Sequence, residues 1–231
     1  MPIFISDPMP VSNHGERHIP AILLVDKSGS MQGAPINELN QGLIEFGQAL
    51  EADSLAQGRA DICIIGFDST VQVEVGFRPA TEYSAPTLSA GGCTALNEAI
   101  EVALDTLEER KKLYHDQGVE WYRPWLFVLT DGEATDTERE SAAISRLRTA
   151  IENKKVVYMP LAVGPHANKR KLQEYYPTNA ASKPILSASA SNFKEAFVWV
   201  SNSLGVVAHS NPQVQNDVTL PPTPPSIQVG I

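Results

Sequence analysis

Cysteine is nearly missing from this chain: two, Cys63 and Cys93, in 231 residues. That excludes a disulfide scaffold and a cysteine-based zinc site. Cys63 lies in the apolar run Ile62-Cys63-Ile64-Ile65 and reads as a small buried hydrophobe. Long apolar runs are missing too, and none approaches the ~20 residues of a membrane span. The opening Met1-Pro2-Ile3-Phe4-Ile5-Ser6-Asp7 lacks the basic flank and apolar stretch of a secretory signal, so the expected location is cytoplasmic. Positive charge is scarce, with 18 basic against 27 acidic residues and a net charge of −9. Nucleic acid and anionic membrane surfaces both need a basic face, so neither is expected as a partner. There is no Gly-x-x-x-x-Gly-Lys-Ser/Thr loop and no Gly-x-Gly-x-x-Gly turn, which leaves nucleotide use unsupported. His14, His18, His115, His166 and His209 show no ligand spacing and read as surface or packing residues. No internal repeat is present.

What is there is ordinary globular material, 42% hydrophobic, long enough for one α/β domain with a two-sided core. It is organised around Leu23-Leu24-Val25-Asp26-Lys27-Ser28-Gly29-Ser30-Met31. The apolar run from Ala21 to Val25 predicts a buried strand. It stops at Asp26, and Ser28 and Ser30 follow at alternating positions. Gly29 and Gly33 permit a tight turn, and Pro35 suits the first turn of a helix. Three oxygen-bearing side chains therefore converge where a strand's carboxyl end meets a helix, the place where open α/β sheets bind ligands. Two hydroxyls and a carboxylate are hard donors, suited to magnesium, calcium or manganese. Three donors do not fill an octahedron. Two later stretches match the need: Gly91-Gly92-Cys93-Thr94-Ala95-Leu96, a glycine turn with a hydroxyl opening a helix, and Leu126-Phe127-Val128-Leu129-Thr130-Asp131-Gly132-Glu133, an apolar strand ending in an acid.

The remaining pattern alternates strands and helices. Ile36, Leu39, Leu43, Phe46 and Leu50 predict a helix over 36–52. Ala60–Phe67 reads as a strand buried on both faces. Val71, Val73 and Val75, alternating with Gln72 and Glu74, predict an antiparallel hairpin partner with one wet face. Residues 76–93 are turn-rich. A helix begins near Leu96 and is expected to end at Arg110-Lys111-Lys112, cations placed for its dipole. Trp125–Thr130 is a strand, and Thr137-x-x-Glu140 resembles a capping box before a helix buried through Ile144, Leu147 and Ile151. A strand over 156–163, a short basic helix over 168–176, a short strand at 184–186 and a final helix from Ser191 or Asn192 through Leu204 complete the domain. The expected divisions are an N-terminal arm over 1–17, one domain over 18–209, and a proline-rich flexible tail over 210–231 in extended or polyproline II form.

Asp-x-Ser-x-Ser at 26–30, the Gly-Gly-x-Thr turn ending at Thr94, and Thr130-Asp131-Gly132 after a strand, in that order, resemble the von Willebrand factor A domain. The resemblance covers roughly residues 18–205. It implies a three-layer α/β sandwich, with a Rossmann-like, mostly parallel sheet and one antiparallel edge strand. It also implies a metal-ion-dependent adhesion site built from Asp26, Ser28, Ser30, Thr94 and Asp131, holding Mg2+, with Mn2+ or Ca2+ as alternatives. In such a site neutral hydroxyls leave most of the ion's charge uncompensated, so an outside carboxylate completes the coordination. The implied function is a binding module, not an enzyme, whose protein partner presents a Glu or Asp. The run Asp131-Gly132-Glu133-Ala134-Thr135-Asp136 is similar to small bacterial members found in tellurium-resistance-type gene clusters, which points to a stress-response setting. Around these five, Asp68 reads as supporting the site from one layer out, Asp136 as a helix cap, Lys27 as solvent-facing, and Glu133 as either near the ion or in solvent. The rival class is a metal-dependent phosphatase on a Rossmann-like sheet. That family needs a second Asp two residues after the first, where this chain has Ser28. The sequence leaves the partner and the oligomeric state unnamed.

Overall fold

The computed structural model describes residues 11–131, 133–164, 167–210 and 219–230. Most of the expected arm, residues 1–10, lies outside them, as do 211–218 and 231 of the expected tail, together with Gly132, Pro165 and His166. Strand β1 (Ile19–Asp26) is buried at every position. Its odd residues Ile19, Ala21, Leu23 and Val25 enter one apolar core, and Ile22 and Leu24 enter the other. A strand whose side chains alternate between two cores must lie inside a sheet covered on both faces. The first core is closed by α1 (Ala34–Glu51) and α6 (Phe193–His209), which contribute Leu39, Leu43, Phe46, Phe193, Phe197 and Leu204. The second is closed by α3 (Leu96–Asp116) and α4 (Glu140–Glu152), through Leu96, Ile100, Leu107 and Leu147. This is the three-layer arrangement expected.

The sheet has seven strands in the order β3-β2-β1-β4-β5-β6-β7. They are β2 (Ala60–Phe67), β3 (Val71–Pro79), β4 (Trp125–Thr130), β5 (Val157–Val163), β6 (Ile185–Ala188) and β7 (Gln228–Gly230). The β2-β1-β4-β5-β6 block is parallel, and β3 is antiparallel to β2. The chain leaves β1 toward β2 and β3, then returns to β4 on β1's other side. The β1/β4 junction is therefore the switch point, where the loops at the two carboxyl ends diverge and leave a crevice.

Several elements depart from expectation. A short helix α2 (Ser54–Arg59) precedes β2, capped by Asp53, whose carboxylate accepts the N–H groups of Leu55 and Ala56. Helix α3 runs past Arg110 to Asp116 because Arg110 does not serve its end: it is buried and pairs with Asp61. Tyr114 is fully buried one turn further on, so the packed face continues. No capping-box bond forms at Thr137; residues 137–139 make a 3-10 turn, and the start of α4 has no side-chain cap.

The tail needs the largest correction. Residues 219–230, expected to hang free, fold back over α6 and add β7 antiparallel to β6. Ile227 is buried in the first core and Leu220 packs against it. The indole of Trp199 donates to the Pro221 carbonyl at 3.1 Å, and the Asn192 amide to the Ser226 carbonyl at 3.4 Å. Prolines fix a backbone shape without deciding whether that shape docks, and here two apolar residues, Leu220 and Ile227, give it somewhere to dock.

Candidate metal centre

The crevice at the switch point is lined by Asp26 from the end of β1 and by Thr130 and Asp131 from the end of β4. Asp26 is only 1% exposed. Its Oδ1 accepts the Ser28 backbone N–H at 2.8 Å, and its Oδ2 accepts the Thr130 hydroxyl at 2.7 Å. Burial raises the Asp26 pKa; the hydrogen bonds from Ser28 and Thr130 oppose that rise, and the charge of Asp131 adds to it. Ser28 is buried and Ser30 exposed, yet their Oγ atoms are 3.0 Å apart. The pair makes a short line of hydroxyl oxygens from Asp26 toward solvent.

Thr94 reaches this place through backbone lacing. The Gly29 N–H donates to the Gly92 carbonyl at 3.0 Å, and the Gly91 N–H to the Lys27 carbonyl at 2.8 Å. The Ala95 N–H donates to the Asp68 carbonyl at 2.8 Å. Gly92 has a φ of +74°, and a Cβ there would lie 2.4 Å from Ser69 Oγ, so both backbone and space call for glycine. On the other side the Thr94 N–H donates to Thr135 Oγ1 at 3.0 Å, and the Thr135 N–H returns to the Thr94 carbonyl at 2.9 Å. The loops after β1, before α3 and after β4 are thus sewn into one rim.

Asp131 is half-buried. Its carboxylate accepts the Glu133 N–H at 3.1 Å, and its carbonyl accepts the Asn168 N–H at 2.6 Å. Asn168 also donates from its amide to Glu133 at 2.9 Å, so it clamps the β4 loop from two sides. Of the five residues singled out in the sequence, Asp26, Ser28 and Ser30 touch in sequence, Asp131 bears electrostatically on Asp26, and Thr94 joins through its laced loop.

The surrounding assignments change more. Lys27 is buried rather than solvent-facing: its ammonium bonds Glu74 at 2.6 Å. Asp68 shapes its own turn, accepting the Thr70 N–H at 2.9 Å and hydroxyl at 3.1 Å. Asp136 does cap a helix, but α3 rather than the next one, accepting the N–H groups of Asn97 at 3.2 Å and Glu98 at 2.8 Å. Glu133 is exposed and engaged by Asn168. Thr130, Thr135 and Asn168 were not singled out in the sequence. Thr130 carried a signal, a hydroxyl as the last residue of an otherwise apolar strand. The bonds of Thr135 and Asn168 span loops distant in sequence and carried none.

A family model described as the von Willebrand factor type A domain matches residues 21–133. That stretch begins in β1 and takes in the loops after β1 and before α3 and the start of the loop after β4; β5 and β6 continue the sheet beyond it and α6 packs on it. Over residues 21–133 the chain is similar to the von Willebrand factor type A domain. No curated protein sequence matches the chain. Among solved structures, a von Willebrand factor type A structure from Catenulispora acidiphila is similar with a TM-score of 0.60 at 16% identity, covering 82% of this chain and 43% of that one. The pilus adhesin SpaC of Lactobacillus rhamnosus GG gives a TM-score of 0.65 at 14% identity, covering 87% of this chain and 31% of that one. Proximal thread matrix protein 1 of the mussel byssus, solved with a zinc-occupied MIDAS motif, gives 0.53 at 14% identity, covering 80% of this chain and 46% of that one. The chain spans less than half the length of each, and identities this low carry the fold alone.

The donor chemistry of this crevice fits a hard divalent cation. Among the described residues no three His, Cys, Asp or Glu side chains cluster as a metal site. An ion here would have to draw on hydroxyls, and Ser28 and Ser30 present two of them beside a carboxylate. Hydroxyl and carboxylate oxygens suit magnesium or manganese better than a soft ion.

Proposed function

We propose that the domain is a divalent-metal-dependent protein-binding module, with Asp26, Ser28, Ser30, Thr94 and Asp131 as its metal-holding set and magnesium as the ion. The observation that carries this reading is the Ser28–Ser30 hydroxyl pair, 3.0 Å apart, backed by a buried carboxylate at the switch point. The bound ion would supply a coordination position for an acidic side chain of the partner. The chain's own residues do the rest. Thr130 and the Ser28 N–H fix both oxygens of Asp26, so that carboxylate would hold the ion through water rather than by a direct bond. The two hydroxyls bring no charge of their own. The site then keeps an uncompensated positive charge when loaded, which favours an anionic partner over a neutral one. The similarity to an adhesin and to a protein with a zinc-occupied adhesion motif supports this reading at the level of the fold. The expected cytoplasmic location and the stress-response setting implied by the 131–136 run belong to the same proposal.

Calorimetric titration of manganese and magnesium into the full chain tests it. The expected result is one ion per chain, with affinity reduced at least about tenfold, or about 1.4 kcal/mol, in Ser28→Ala and in Asp131→Ala while circular dichroism is unchanged. Equal affinity in both variants would sink the assignment. Turnover of a generic phosphate ester that disappears in Ser28→Ala would instead favour a phosphatase.

A further inference from the structure

The same rim carries charge that the metal-holding set does not use. At the carboxyl end of the sheet most cations have a carboxylate. Lys27 pairs with Glu74, Arg139 with Glu101, and Lys171 with Glu140. Lys169 and Arg170 are exposed and form no ion pair with any described residue. They open α5 (Lys169–Gln173) directly after Asn168, whose N–H is bound to the Asp131 carbonyl at 2.6 Å. The side chain of Asn168 accepts the Lys171 N–H at 3.1 Å and donates to Glu133. Two unpaired cations are therefore tethered to the loop that carries Asp131, one and two residues beyond the clamp.

We propose that Lys169 and Arg170 form a second contact for the partner, which is an acidic peptide segment carrying two or more carboxylates, one for the metal position and the others for these two side chains. The inference rests on the metal-contact reading above and specifies its partner. Charge complementarity is the argument. A chain with net charge −9 repels an acidic segment at long range, and screening confines that repulsion to roughly 8 Å at physiological salt. Within that distance a local pair of cations beside the metal decides approach and register. A single carboxylate would be satisfied by the ion and would leave both cations in water; an acidic cluster engages all three positions. Of the acids near them, Glu133 accepts the Asn168 amide at 2.9 Å and Glu174 lies 3.6 Å from the Lys171 ammonium.

The test uses two fluorescent synthetic peptides, hexaglutamate and a glycine-serine peptide of equal length with one central Glu, with the full chain in magnesium and in chelator. Hexaglutamate should bind about tenfold tighter than the single-Glu peptide, as two exposed ion pairs allow. Its advantage and its steeper salt dependence should vanish in Lys169→Gln/Arg170→Gln, while single-Glu binding stays unchanged and magnesium-dependent. Magnesium-dependent binding of both peptides with equal affinity, or an undiminished hexaglutamate advantage in the double variant, overturns the second contact and leaves the metal site intact. Binding of neither peptide in a magnesium-dependent way overturns the metal-contact reading, and this inference with it.

Discussion

Asp26 and Asp61 are both 1% exposed, and their surroundings push them in opposite directions. Burial raises Asp26, and the neighbouring Asp131 charge adds to the rise. Burial pushes Asp61 up as well, but the His18 hydrogen bond and the Arg110 charge outweigh it, so its pKa is held below 3.8. Asp61 Oδ2 accepts from His18 at 3.2 Å, from Arg110 at 2.6 Å and from the Tyr114 hydroxyl. A carboxyl lowered in the fold contributes stability that is present above its ordinary value and lost as pH falls through its folded value. Asp61→Asn removes the carboxylate that pairs with the buried Arg110 and should cost about 3–5 kcal/mol in urea unfolding near neutral pH. The gap between wild type and variant should narrow as the pH is lowered below 3.8; a gap independent of pH would contradict the assigned ion pair. Asp26 was legible in the sequence because it ends an apolar run and starts a spaced hydroxyl pattern. Asp61 was not, because Ala60-Asp61-Ile62 reads as a strand start and its partners are His18, before β1, and two side chains of α3, all distant in sequence. Lys27 was misread for the same reason: its partner Glu74 lies on another strand.

At the scale of elements, the strands and long helices were readable because each buries a face whose period survives in the sequence. β4 matches its expected bounds, Trp125–Thr130, and α1 begins two residues before the expected start. Caps and ends were not readable, since their partners are tertiary. Asp136 read as a helix cap, and the helix whose first turn it closes is α3, distant in sequence. That turn comes directly after Thr94, so the cap fixes where the Thr94 hydroxyl is presented. Asp136→Ala should lower stability by about 1–2 kcal/mol, read as a shift in urea midpoint. It should also weaken metal affinity although Asp136 is not in the metal-holding set. A variant with reduced stability and unchanged metal affinity would separate the two roles and refute the link.

At the scale of the molecule, the three layers and the place of the site at the switch point followed from the alternation of apolar strands and amphipathic helices. The C-terminal segment did not, because proline content reports local stiffness and says nothing of docking. Its evidence lay in Leu220 and Ile227, too sparse to show a period. Ile227 fills the first core beside Trp199 and Val200, so Ile227→Ala should cost about 2–5 kcal/mol. Chain ending at Ser210 should show a similarly lowered melting temperature. No change in either would mean that 219–230 contribute nothing to the core they cover.

The short β7 strand also bears on how these molecules behave in company. β6 has parallel β5 on one side and only Gln228–Gly230 on the other. Without that cover, Ile185–Ala188 would present unpaired amides and carbonyls beside buried apolar side chains, a template for another chain's strand. β7 replaces it with a three-residue margin ending in glycine, too short to seed a growing stack. The folded-back tail is in this sense a guard against self-templating, and its loss would show first as concentration-dependent precipitation.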